Sequence, residues 1–280
     1  MKKFIVKILA FCAAILAFAI CIVLVAKISS NRIDWKLPQG KHILFMGASH
    51  FVYAINDSLT PSAINLAKGS ERYMFTYIKL QHIIEHNKQV DTIFLMLGST
   101  DLFEHADDKY FKDNEMAFFY THYYPLFNID QWKMYKEKLS SAFGLIFGKT
   151  IYHYLKGLDY KYFIAGFEPN DKVMNKDSVY YNPVGGQYGN EINYEYLRKI
   201  ITLCNEKSIK LFFIYCPVYK PENFYNQEYY YNAYKTHFSD VKLFDYSHFP
   251  IPDDGFYDAH HVNYKGAMIF TQELKRRFGL

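Results

Sequence analysis

Three short apolar runs restrict what this chain can fold into. Residues 42–46 hold Ile43, Leu44, Phe45 and Met46 and stop at Gly47-Ala48-Ser49-His50. Residues 92–97 stop at Gly98-Ser99-Thr100-Asp101, and residues 211–215 stop just before Pro217. Runs this short, with no polar alternation, fit strands buried on both faces. Weaker strand patterns cover Ala63–Asn65 and residues 241–244. Between the strands, Tyr73–His86 places Met74, Tyr77, Ile78, Ile83 and Ile84 at helical spacing. Residues 193–207 put Tyr196, Ile200, Leu203 and Cys204 on one helix face, and Asn263 stands where it would cap a final helix through Arg277. Strands alternating with amphipathic helices predict an α/β fold, a three-layer sandwich around a parallel sheet. In such sheets the working residues lie on loops beyond the strand C-termini. Ser49 and Asp101 both hold positions of that kind.

The N-terminus has a separate character. Residues 8–26 are 19 uncharged, almost wholly apolar residues, long enough to cross a bilayer core as a helix. Lys2, Lys3 and Lys7 precede them, which by the positive-inside tendency keeps the N-terminus in the cytoplasm and the remainder outside. Lys27 and Arg32 follow the segment and weigh against that orientation with fewer charges. A cleaved signal peptide is the rival to an uncleaved anchor, although Val25-Ala26-Lys27 is a poor cleavage site. The expected organisation is an anchor over 1–32, a linker over 33–41 with Pro38 and Gly40, and an α/β domain over 42–280. Removing the five basic residues of 1–32 from the total of 32 leaves 27 against 28 acidic ones, so no basic face for nucleic acid is expected.

Residues 102–190 interrupt the strand–helix rhythm. They are rich in Tyr, Phe, His and Lys, suggest a helix over 131–156, and pass into Asn182-Pro183-Val184-Gly185-Gly186. They read either as an insertion capping the catalytic edge or as a helical subdomain that adds core. Aromatic residues make up 19% of the chain, which fits a sugar-binding cleft or a tyrosine-rich core. Cys204 and Cys216 show no C-x-x-C and no partnering His cluster, so no zinc site is expected, and two buried free thiols are favoured over a disulfide.

Three short motifs are able to carry chemistry. Ser49 follows a buried strand at a strand-to-helix turn, where its hydroxyl and nearby backbone N–H groups face the same way, as a nucleophile needs. A plain turn with Ser49 capping the helix is the other reading. Asp258-Ala259-His260-His261 puts an acid three residues before a histidine, on a loop entering a helix. An acid there holds the imidazole from behind and fixes its tautomer. Gly98-Ser99-Thr100-Asp101 offers polar groups to a developing oxyanion.

Taken together and in this order, these blocks resemble the SGNH (GDSL-like) hydrolase superfamily, over residues 42–101 and 190–280. The chain looks most similar to membrane-anchored, extracytoplasmic bacterial members. The family's first-block serine falls on Ser49, its second-block glycine on Gly69, and its last block on Asp258, His261, Asn263 and Gly266. The resemblance implies a Ser49–His261–Asp258 triad working as an esterase or O-acyltransferase. The oxyanion would be held by the N–H groups of Ser49 and Gly69 with Thr100 as a third donor, and no metal or other cofactor would be needed. It implies an acylated small molecule or cell-envelope glycan as partner, and the membrane through the N-terminal helix. Two positions depart from the family: Ala48 stands for its Asp, and Thr100 for its third-block Asn. Loss of one oxyanion donor slows acyl transfer by about 100-fold or more. A weakly active or inactive module that binds glycan or scaffolds an envelope assembly is therefore the alternative.

Overall fold

The computed structural model describes residues 2–102, 114–136, 159–179, 191–223 and 227–280. They divide into two compact units, one of 1–34 with 114–162 and one of 35–113 with 163–280.

The first unit contains α1 (Lys2–Ser30), a 29-residue helix whose large apolar side chains are mostly exposed. At 1.5 Å per residue it is about 43 Å long, more than the roughly 30 Å of a bilayer's hydrocarbon core. It is long and apolar enough to cross a membrane. Further along lie α4 (Asn114–Tyr123) and α5 (Ile129–Lys136). The start of α5 is fixed reciprocally. Asn128 Oδ1 accepts from the N–H groups of Asp130 and Gln131, and Gln131 Oε1 accepts from Asn128 N–H at 2.7 Å. The helix expected over 131–156 is thus present from Ile129 to Lys136, and its remainder lies outside the described residues, as does the 182–186 stretch.

The second unit is built on five strands: β1 (Ile43–Met46), β2 (Ala63–Asn65), β3 (Thr92–Met96), β4 (Lys210–Tyr215) and β5 (Leu243–Asp245). Their order is β2-β1-β3-β4-β5 and every pairing is parallel. The described α-helices of this unit are α2 (Ser49–Ala54), α3 (Tyr73–His86), α6 (Glu191–Glu206), α7 (Gln227–His237) and α8 (Tyr264–Phe278). This is the α/β parallel-sheet architecture the strand–helix alternation predicts. The short α2 and α7 carry too little periodic signal to stand out in the sequence. The register is marked by a phenylalanine ladder. Phe45 pairs with Phe94 and Phe94 with Phe212, and their rings stack at 5.1 and 5.6 Å. Phe278 of α8 closes over Phe94 at 4.7 Å. Many of the described aromatics therefore build core. Cys204 and Cys216 are buried free thiols. In the segment 33–41, expected as a linker, Trp35 and Leu37 are buried, and Trp35 stacks on His82 and Phe163.

Parallel pairing brings the ends of β1, β2, β3 and β4 to one edge, and the loops there must pack closely. Gly47 has φ +148°, and a Cβ on it would sit 2.6 Å from Met96 Cβ on the neighbouring strand. Only glycine lets β1 leave the sheet there and deliver Ser49. At the final helix, Asn263 caps α8 by accepting from Gly266 N–H at 3.2 Å, and a Cβ on Gly266 would fall 2.3 Å from Gly255 O. Gly47→Ala is expected to lower the unfolding free energy by about 2–4 kcal/mol, through left-handed backbone and overpacking together. Chemical denaturation checks this. A change within about 0.5 kcal/mol, the usual scale of a surface substitution, would show that the turn relaxes freely.

Candidate active site

Ser49 is the first residue of α2, and Ala48 holds the N-cap position with no side-chain cap. The serine hydroxyl is therefore not spent on capping its own helix. Asn65, at the end of β2, fixes α2: its amide donates to Phe51 O at 2.8 Å and Ile55 O at 2.9 Å. From the other side Thr271 of α8 donates to Ala54 O at 3.1 Å and accepts from Asn56 N–H at 3.0 Å. The helix bearing Ser49 is thus tied directly to the helix that follows His261.

The loop before α8 is equally fixed. An antiparallel bridge joins Phe256 and Val262, and Tyr257 N–H donates to His261 O at 2.9 Å. Inside this loop Asp258 Oδ1 accepts from the N–H groups of His260 at 2.7 Å and His261 at 2.8 Å. This is the local turn an Asp favours, and it explains the D-x-x-H spacing. Both carboxylate oxygens then lie 3.0 Å from His261 Nδ1. On the opposite side of the ring, Nε2 lies 2.8 Å from Ser49 Oγ. With the Nδ1 proton directed at Asp258, Nε2 is the acceptor and the serine hydroxyl the donor. Burial works to raise the Asp258 carboxyl. The hydrogen bonds from His261 and from the two backbone N–H groups outweigh it and hold the carboxyl below its ordinary value.

Sequence reasoning missed the rings around His261. His50 packs 4.8 Å from it, Tyr53 5.3 Å in an edge contact, and Tyr257 6.2 Å. The signal was present, because His50 and Tyr53 follow Ser49 by one and four residues on the same helix. Burial, then the nearby His261 and His260, push His50 well below the ordinary histidine value. Burial followed by His261 also lowers His260. His260 lies 6.2 Å from His261, ring to ring, and makes its bond to Asp258 through the backbone. Among the described residues no His, Cys, Asp and Glu side chains converge in a group that would hold a metal ion.

Gly69 lies on the loop after β2, and a Cβ on it would meet nothing within 4 Å. The space beside it is open, and its backbone is not left-handed. Thr100 is exposed on the turn Ser99–Leu102 after β3. That turn is held by Asp101, whose carboxylate accepts from Gly98 N–H at 2.7 Å and whose O accepts from Asn193 at 2.6 Å. Burial raises the Asp101 carboxyl to about 6. A separate groove of about 670 Å³ runs between α3 and α6 and includes none of Ser49, His261 and Asp258.

A protein-family model that carries no functional description matches residues 182–279. No curated protein matches the chain. Solved structures that it is similar to include a GDSL-like lipase from Bacteroides thetaiotaomicron, at 7% identity and TM-score 0.44 over 92% of this chain and 98% of that one. Another is an acetylxylan esterase from Geobacillus stearothermophilus in a catalytic-mutant form, at 10% identity and TM-score 0.41 over 88% and 97%. A third, from Streptococcus pneumonia and named for platelet activating factor, shows 12% identity and TM-score 0.44 over 85% and 83%.

A histidine held neutral by burial makes the folded state resist protonation. The stability it contributes is present above the unfolded pKa near 6.5 and is lost as pH falls toward the lowered folded value. NMR titration of the imidazole resonances should therefore place His50 and His260 below 6.5, with stability falling as pH drops below that point. A His50 midpoint at or above 6.5 would contradict this picture of the site.

Proposed function

We propose that the chain is a serine esterase or O-acyltransferase of the SGNH type. The observation that supports it is the line Ser49 Oγ, His261 Nε2, His261 Nδ1, Asp258. It has distances of 2.8 and 3.0 Å and is assembled from residues 212 positions apart. In this reading His261 Nε2 takes the Ser49 proton as Oγ attacks an ester carbonyl. Asp258 stays ionised and stabilises the imidazolium. The tetrahedral oxyanion is held by the N–H groups of Ser49 and Gly69, with Thr100 as a further donor. Collapse breaks the ester C–O bond, and His261 returns the proton to the leaving alcohol. Water in an esterase, or another hydroxyl in a transferase, then attacks the acyl-Ser49 carbonyl and gives its proton to His261 Nε2; the Ser49 Oγ–acyl bond breaks and His261 returns the proton to Ser49 Oγ. No step calls for a metal or an organic cofactor.

The partner we propose is an acylated small molecule or glycan of the cell envelope. The support is positional: the apolar run 8–26 of α1 follows three lysines, and the helix is long and apolar enough to tether the chain, which would place the catalytic unit outside the cytoplasm. Reporter fusions at the C-terminus that need export should then be active in the membrane fraction. Activity of a cytoplasm-only reporter would reverse the topology, and a soluble product starting near residue 27 would replace the anchor with a signal peptide.

The direct test is labelling with a fluorophosphonate, which reports an activated serine whatever the substrate. Wild-type protein should label. Ser49→Ala should abolish labelling and esterase turnover, and His261→Ala should lower both by about 10³-fold or more. Asp258→Ala should retain more activity than either. Labelling that persists in Ser49→Ala would remove Ser49 as the nucleophile.

A further inference from the structure

The loop that carries Gly69 is fastened by a buried lysine. Lys79 of α3 has no exposed surface, and its Nζ donates to Leu66 O at 2.7 Å, Glu71 Oε2 at 2.6 Å and Phe163 O at 3.2 Å. Three acceptors match the three N–H bonds of an ammonium, so the charged form is the one that satisfies all of them. The Lys79 and Glu71 side chains are both 0% exposed. Thr76 adds a hydrogen bond to the same Glu71 oxygen at 3.2 Å. A buried pair of this kind contributes little net stability over an apolar pair, because desolvation offsets the attraction. What it fixes is geometry.

That geometry is a four-residue turn. Glu71 N–H donates to Lys68 O at 3.1 Å, leaving Gly69 and Ser70 at the centre. Ser70 has φ +59°, a left-handed conformation that a residue with a side chain adopts only when its surroundings impose it. Both ends of the turn are pinned. Lys68 N–H donates to Gly47 O at 3.0 Å, two residues before Ser49. Glu71 is held by Lys79. The approach to Gly69 is left open, as a Cβ placed there meets nothing within 4 Å.

We propose that Lys79 and Glu71 are positioning residues that hold this turn so that Gly69 N–H points at the oxyanion formed on Ser49. The proposal rests on the acyl-transfer reading of Ser49. No proton passes through the pair. It acts through the turn, by keeping Ser70 left-handed and the Lys68–Gly69 peptide in one orientation.

The test is the double variant Glu71→Gln/Lys79→Met, which removes both charges together; it leaves Leu66 O and Phe163 O without their donor, so the thermal midpoint should fall while the protein stays folded. Turnover of a small activated ester should fall by about 10- to 100-fold in kcat, with KM changed by less than about threefold. Inhibition by phenylboronic acid, which becomes tetrahedral on Ser49, should weaken by the same factor as kcat. A merely structural pair would lower the midpoint and leave kcat and boronate affinity of the folded protein intact. A folded double variant with kcat within about twofold of wild type overturns the proposal. If the double variant does not fold, Thr76→Val decides. It removes only the hydroxyl bonded to Glu71 and should lower kcat by about two- to fivefold at unchanged KM, and an unchanged kcat overturns the proposal. Wild-type protein with neither ester turnover nor boronate inhibition fails differently: it removes the acyl-transfer reading, and the positioning role with it.

Discussion

A helix of six residues has no stability of its own, because nucleation fixes several residues for very few hydrogen bonds. α2 exists because other parts of the chain hold it at both ends. Asn65 from β2 and Thr271 from α8 take up the backbone groups around Phe51, Ala54, Ile55 and Asn56. Phe51 is fully buried against Phe45 of β1. The position of Ser49 therefore depends on β1, β2 and α8 together. The same α8 is preceded by the His261 loop, so Ser49 and His261 share one mechanical frame. A hydrogen bond between residues 212 positions apart needs such a frame.

The electrostatics of the site follow from burial. Three imidazoles lie close together, and Asp258 faces the Nδ1 of His261. His50 and His260 are driven toward the neutral form by desolvation and by one another's neighbour His261. The surrounding tyrosines supply packing that keeps the imidazole from rotating away. At the next loops, buried charge is used to hold turns: Asp101 behind Gly98, and Glu71 with Lys79 behind Gly69.

Much of the fold was legible because its central strands β1 and β3 are buried on both faces and β4 is apolar from Leu211 to Tyr215. The runs ending at Met46, Leu97 and Tyr215 are short, apolar and each stopped by a loop, which fits strands of a covered parallel sheet. α3 and α8 were legible from spacing and, for α8, from the Asn263 cap. The chain near Trp35 reads differently in the structure because Lys36, Pro38 and Gly40 give it a polar look while Trp35 and Leu37 turn inward between them. Ile33, Trp35 and Leu37 are buried at alternate positions, a strand-like pattern that the charged residues between them masked.

Within the site, the sequence by itself determined which groups were available. Ser49 stands at a strand end, Asp258 three residues before His261 makes a self-closing loop, and Gly69 and Thr100 follow the neighbouring strands. These are local facts, fixed by turn chemistry and strand burial. The meeting of Ser49 and His261, which the resemblance implied, is made by the tertiary structure, and the burial that pushes His50 down is decided there alone. The tertiary structure alone decided that Lys79 reaches three acceptors at once and that Ser70 stays left-handed. Each of these joins residues far apart in the chain or depends on how deeply a group is buried. Desolvation and long-range hydrogen bonding have no period and no spacing to be read along a sequence.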